Sequence, residues 1–179
     1  MTAATLASLV LFLDQPEIDD EDGLISGLAR VVTGDGPVMV PATRVDGVPH
    51  LAVTQCEPQL GYDVTHLPTG VTLVRHCASF GAALLALVQT HAIRVAYQLD
   101  LAPRDPVTVR AVFAEVDILP VPFADGTGHR PSVGDWLTDA RQRVELLQLP
   151  WESSAVLVRE AMLLLEQCAR LAPAEDVPA

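Results

Sequence analysis

An aspartate and a histidine facing each other across a hairpin are the most chemical pair that this chain offers. Asp63 and His76 flank the dipeptide Thr69-Gly70, and counting outward from a turn there sets them opposite one another. A carboxylate beside an imidazole fixes its tautomer and raises its pKa, as in general-base dyads. The plainer reading is a cross-strand polar pair worth roughly 0.2–1 kcal/mol. A base also needs a nucleophile to activate. Ser79 is better explained as a helix cap, and Gly-x-Ser-x-Gly is absent.

Other constellations are incomplete. His50, His66 and His76, with Cys56 and Cys77, are residue types that zinc takes. They lack the short paired spacings of a structural zinc site, and the hairpin count sends His66 and His76 to opposite faces, so no metal is expected. The acidic run 17–22 invites calcium. Placing Gly23 at the sixth position of an EF-hand loop puts Ile18 first and Ala29 twelfth, and neither supplies a ligand oxygen. The run reads instead as the acidic start of a helix. Thr33-Gly34-Asp35-Gly36 and Asp125-Gly126-Thr127-Gly128 resemble glycine-rich loops, but Met39 and Pro131 stand where a third glycine is required. Both are turns. The second lies in the longest irregular stretch, so its neighbours His129 and Arg130 are binding candidates. His50 and Thr43, on the polar face of a hairpin described below, are the others.

The whole chain narrows the classes further. Its net charge is −12, and all 11 basic residues are arginine. A phosphate backbone would be repelled, which argues against nucleic acid and for a basic protein partner or simple solubility. The chain has no Lys and no Asn, as a GC-rich genome would produce. Schiff-base chemistry, a P-loop lysine and a pyridoxal lysine are therefore excluded, and no cofactor is expected. Three scattered cysteines without a secretory segment suggest reduced thiols in the cytoplasm. The apolar opening 2–13 has no basic flank and is too short to span a bilayer, so no membrane is expected.

These residues need elements to hold them. Half of the 179 residues are hydrophobic, enough for one α+β domain over 1–172 with a flexible tail at 173–179. Residues 1–104 read as sheet-rich and 105–172 as helical. The stretch 8–13 is an ambiguous apolar run, leaning to strand. Leu24, Ile25, Leu28 and Val31 recur at helical spacing. Asp46-Gly47 is a preferred two-residue hairpin turn. Counting from it pairs Ala42 with Leu51 and Val40 with Val53 on an apolar face, and leaves Thr43, His50 and Thr54 on a polar one. Pro41 and Pro49 cannot donate to a ladder, which places these strands at an edge. A second hairpin, 62–77, sets His66 against Leu73 and Thr65 against Val74.

Ser79 caps a helix to about His91, with almost no polar face. The alternation of 93–101 then reads as a strand, with continuation of the helix through it as the alternative. Asp105-Pro106 opens a short helix burying Val109, Val112, Phe113 and Val116. The stretch 119–131 is loop. Ser132-x-x-Asp135 caps a helix that buries Val133, Trp136, Leu137, Ala140 and Val144. Pro150 opens the last helix, which is apolar around most of its circumference. That helix lies centrally or meets a second copy, so a homo-oligomer is expected. The resulting picture is an α+β fold with a mainly antiparallel sheet of two hairpins, covered by helices. Its function reads as non-enzymatic binding, a homodimer or an acidic inhibitor or immunity-type protein. The alternative is a small enzyme using Asp63 and His76.

Overall fold

The computed structural model describes residues 23–55, 61–124, 128–142 and 151–171, without the side chains of 139–142, 151–154 and 171. The expectations for 8–13, the acidic run 17–22, Cys56, Asp125, Gly126, Thr127, Val144, Pro150, the Ala140 side chain and the tail 173–179 lie outside the described residues. The rest is an α+β fold. Strands β1 (Leu24–Thr33), β2 (Gly36–Val45), β3 (Leu51–Thr54), β4 (Tyr62–His66) and β5 (Val71–Cys77) form one antiparallel sheet in sequential order. Helices α1 (Phe80–Tyr97), α2 (Pro106–Ala114), α3 (Val133–Gln142) and α4 (Trp151–Leu171) follow.

The first correction is β1, where a helix is expected. Gly27 weakens a helix by about 1 kcal/mol relative to Ala, and the run Val31-Val32-Thr33 is β-branched, which favours extended backbone. Thr33-Gly34-Asp35-Gly36 is a turn as expected, the tip of a hairpin that pairs all ten residues of β1 with β2, from Leu24↔Val45 to Thr33↔Gly36. Gly36 takes φ 114°, a conformation closed to most L-residues.

The second correction concerns the hairpin at Asp46-Gly47. The chain does turn there, with Gly47 at φ 73°, but the connection runs through His50, which is itself left-handed at φ 68°. Ala42 therefore meets Thr54, not Leu51, and Thr43 meets Val53. The register moves by three residues, and an odd shift exchanges the faces of one strand. Leu51 and Val53 join the helix-facing core, while Val40 and Ala42 face the other way. Nor is β2 an edge strand, for it lies between β1 and β3. Pro41 is tolerated there because it sits where β3 runs out. Its carbonyl accepts Gln55 N–H at 3.1 Å, and the reciprocal donor is the one proline lacks. Pro49 is in the loop, not a strand.

In the β4–β5 hairpin Tyr62 pairs with Cys77, but irregularities on either side of Val64 carry the register to Thr65↔Thr72 and His66↔Val71. The expected pairs Thr65 with Val74 and His66 with Leu73 are not formed, and Val74 meets Val64. The turn takes the four residues 67–70, closed by Gly70 N–H to His66 O at 2.8 Å.

The sheet coils until its first strand touches its last turn. Val32 N–H donates to Gly70 O at 2.8 Å, and a Cβ on Gly70 would lie 2.9 Å from Arg30 O. The concave side is filled by small residues. Ala29, Ala42, Ala52 and Leu67 form a cluster of their own, and buried Thr54 and Thr65 join hydroxyls at 2.7 Å.

On the convex side, Leu51, Val53, Val64 and Val74 pack with Leu84, Leu87 and Val88 of α1 in the main core. Ser79 caps α1 as expected, its Oγ accepting Ala82 N–H at 3.1 Å. The helix does not yield to a strand at Ile93 but runs on to Tyr97. Propagation costs little once a helix exists, and Ala92 and Ile93 are buried in it. It stops at Gln98, left-handed at φ 53°, with Leu99 N–H returning to Arg94 O at 2.9 Å. By length and composition α1 could cross a membrane. Here it is a core helix, packed between the sheet and α4.

The remaining caps are as read. Asp105 accepts Thr108 N–H at 2.9 Å and its hydroxyl at 2.7 Å, and Ser132 Oγ accepts Asp135 N–H at 3.1 Å. Val109, Phe113, Val116, Val133 and Trp136 are buried, and Val112 and Leu137 pack against them. On α4, Ala161 and Cys168 are buried, while Val156 and Leu163 stay exposed. Among the described residues, the last helix is therefore covered on one side only.

Candidate functional site

A concavity with charged walls lies at the end of the sheet where three connections converge. The β2–β3 loop supplies Asp46, Gly47, Val48, Pro49 and His50, the β4–β5 turn supplies Leu67 and Pro68, and the segment after α1 supplies Ala102 and Arg104. With Ile25, Arg44 and Val45 they enclose about 640 Å³. His50 is placed here by its left-handed backbone, a conformation uncommon for a non-glycine residue and typical of strained functional loops. Its carbonyl accepts Leu67 N–H at 2.8 Å, which ties the loop to the neighbouring turn.

A buried polar cluster backs this cleft. His66 is fully buried. Its Nε2 lies 2.6 Å from Leu101 O, an atom that only accepts, so Nε2 carries the proton. Its Nδ1 is 2.8 Å from Thr69 Oγ1, which in turn accepts Val71 N–H at 3.2 Å. Burial lowers the His66 pKa against the opposing hydrogen bond to Leu101. One imidazole thereby fastens β4 to the segment that carries Ala102 and Arg104. The pKa of His50 is lowered by burial and then by the Arg94 charge, with Asp100 pulling the other way. His91, one turn before Arg94 on α1, is buried, and its pKa is pushed down to about 4 by burial and then by Arg94. All three imidazoles are thus biased toward the neutral form.

The other sequence candidates fall elsewhere. Asp63 and His76 do meet, but Asp63 Oδ1 accepts the backbone N–H of His76 at 2.7 Å. That bond holds His76 in a left-handed conformation, φ 57°. The carboxylate braces the strand, and the His76 side chain lines a separate concavity of about 610 Å³ with Arg75, Arg110 and Val109. Thr43 is half-buried on the helix-facing side of β2, opposite Val53. His129 and Arg130 are exposed in the loop before α3 and border none of these concavities. Of the expected binding residues, only His50 is in the cleft. Arg44 and Arg104, which line the cleft, carry no local signature in the sequence. The one hint was the Arg104-Asp105-Pro106 junction, which marks the start of a helix. Among the described residues, no three His, Cys, Asp or Glu side chains converge as a metal site.

A second surface stands out by what does not cover it. Toward the hairpin tip, the helix-side face of β1 and β2 carries Leu28, Arg30, Val32, Pro37, Met39 and Pro41. Among the described residues, no helix packs substantially against either strand. Val32 is 43% and Met39 48% exposed, and no carboxylate lies on this face of either strand. Contiguous exposed apolar surface of this kind marks contact sites. No known protein family, no curated protein and no solved structure matches the chain.

Proposed function

We propose that the chain is a non-enzymatic interaction protein that pairs with a second copy of itself through the bare face of the β1–β2 hairpin. The observation that carries this reading is the apolar strip itself. In a chain of net charge −12, most surfaces of two copies repel each other. The strip bears one arginine and no carboxylate, so it is where two copies approach most easily. Two-fold pairing would stack the strip on its own image, with sheets about 10 Å apart. The acidic remainder is then free for a basic protein partner, whose association would slow with added salt. Its setting is the cytoplasm, a reading that the buried cysteines Cys77 and Cys168, which form no disulfide, support.

An enzyme using Asp63 and His76 is the weaker reading, because the Asp63 carboxylate is already engaged by a backbone amide. Sedimentation of the protein at increasing concentration tests the dimer. The wild type should approach twice its 19.1 kDa, and Met39→Glu should stay at the monomer mass. A wild type that remains monomeric at 0.1 mM and above (~10⁻⁴ M, a weak dimer by affinity arithmetic) overturns the reading.

A further inference from the structure

We propose that the concavity between the bulged edge of β5 and helix α2 binds a small phosphate monoester, its phosphate held by Arg75, His76 and Arg110 and its apolar part resting on Leu73 and Val109. Ligand cavities span about 300–1,000 Å³, apolar with a few placed polar groups, and this one encloses about 610 Å³. Successive strand residues point to opposite faces, yet Arg75 and His76 both line it. The cause is a β-bulge. Tyr62 pairs with Cys77 and Val64 with Val74, so Arg75 and His76 together oppose Asp63. Asp63 Oδ1 clamps the bulge by accepting His76 N–H at 2.7 Å, with His76 left-handed at φ 57°. Bulges re-aim side chains beside functional sites. This one delivers a guanidinium and an imidazole to the concavity that Arg110 of α2 also lines.

The ligand class follows from the charges. Three nitrogen-bearing side chains converge from two elements in a chain of net charge −12, and no carboxylate lines the concavity. Among the described residues, neither guanidinium has an ion pair or a hydrogen bond. The neighbouring acids are turned to backbone amides, Asp63 to His76 and Asp105 to Thr108 N–H at 2.9 Å. Two guanidinium forks match the charge and the oxygens of a phosphate dianion, and the imidazole adds a third donor. Leu73 and Val109, both buried, floor the rest, and a bare inorganic ion would leave that floor wet. The bulge also spoils the edge as a template for an added strand, which favours a small molecule over an extended peptide.

Calorimetric titration of the full chain with phenyl phosphate, benzoate and inorganic phosphate tests this. Phenyl phosphate should bind, and benzoate and inorganic phosphate should bind at least tenfold more weakly. Arg75→Gln and Arg110→Gln should each weaken phenyl phosphate at least tenfold. Both residues are exposed, so the unfolding midpoint should stay nearly unchanged. His76→Gly is the sharpest variant. Glycine suits the left-handed backbone better than histidine does, so the fold should hold or gain stability while affinity falls at least threefold. Arg170→Gln removes the same charge from the exposed side of α4 and should leave affinity unchanged. Failure of phenyl phosphate to bind overturns the proposal, as does equally tight binding of benzoate or inorganic phosphate. So does undiminished affinity in folded Arg75→Gln, Arg110→Gln or His76→Gly, or an equal loss in Arg170→Gln.

Discussion

The two halves of the sheet are built from the same alternating residues and meet different fates. In β3, β4 and the middle of β5, the convex side lies under α1 and the concave side closes on itself, so all four residues of β3 are buried. In the outer part of β1 and β2 the concave side buries Ala29, Val31 and Val40 and leaves Val38 exposed at its margin, while on the convex side Val32 and Met39 are exposed, with no cover among the described residues. Alternation in a strand thus states which residues share a side, and the elements that follow decide whether that side is core or surface. The bare half is where a partner can act.

The contrast breaks most sharply with a deletion under α1. Leu87→Ala empties a fully buried site, and large-to-small changes of this kind cost about 2–5 kcal/mol. Urea unfolding should show that loss. If Leu87→Ala costs no more than Met39→Ala, the distinction between the two halves fails.

Acid should weaken the covered half next. The pKa of His91 is about 4 in the folded chain against 6.5 as its ordinary value. Between those values the unfolded chain binds a proton that the folded chain refuses, so stability falls as pH drops through 6.5 toward 4 and levels off below. Full stability is present above 6.5. The loss is on the order of 3 kcal/mol, and His50 and His66, also lowered, act in the same direction. Unfolding midpoints from pH 7.5 to 4 check this, and His91→Gln should flatten the curve.

The seam between the halves comes third. Gly70 is at φ 71° with Arg30 O where a Cβ would press. Gly70→Ala should cost about 1–3 kcal/mol by forcing β1 away from the β4–β5 turn, with faster amide exchange at Val32. The smallest effect belongs to the bare strip. Met39→Glu should change monomer stability by no more than about 0.5 kcal/mol while abolishing self-association. A large stability loss there would mean that the strip is core after all.

The parts of this fold that were legible in the sequence are those set by local chemistry. Ser79, Asp105-Pro106 and Ser132 mark their helices because a cap is satisfied within three residues. The antiparallel sheet and its helical cover could be read as a class. The misreadings share a cause, since each depended on a distant partner. In β1 the apolar residues fit helical spacing and strand alternation alike, and pairing with β2 decided between them. The stretch 93–101 was equally two-valued, and its end is set by Gln98, a residue with no strong left-handed preference. Asp46-Gly47 located a turn correctly but not its length, because the left-handed backbone of His50 has no signature of its own. The cleft was hidden for the same reason. Arg44 and Arg104 are sixty positions apart, and only the coil of the sheet and the His66–Leu101 bond bring their elements together.

Oxidation of methionine by hydrogen peroxide reads the bare face most directly. Met39 lies on the strip and Met162 on α4, half-buried, and thioether oxidation follows exposure. If two copies pair through the strip, the Met39 rate should fall as protein concentration rises while the Met162 rate holds constant. A Met39 rate independent of concentration, or protection at Met162 instead, would contradict the account.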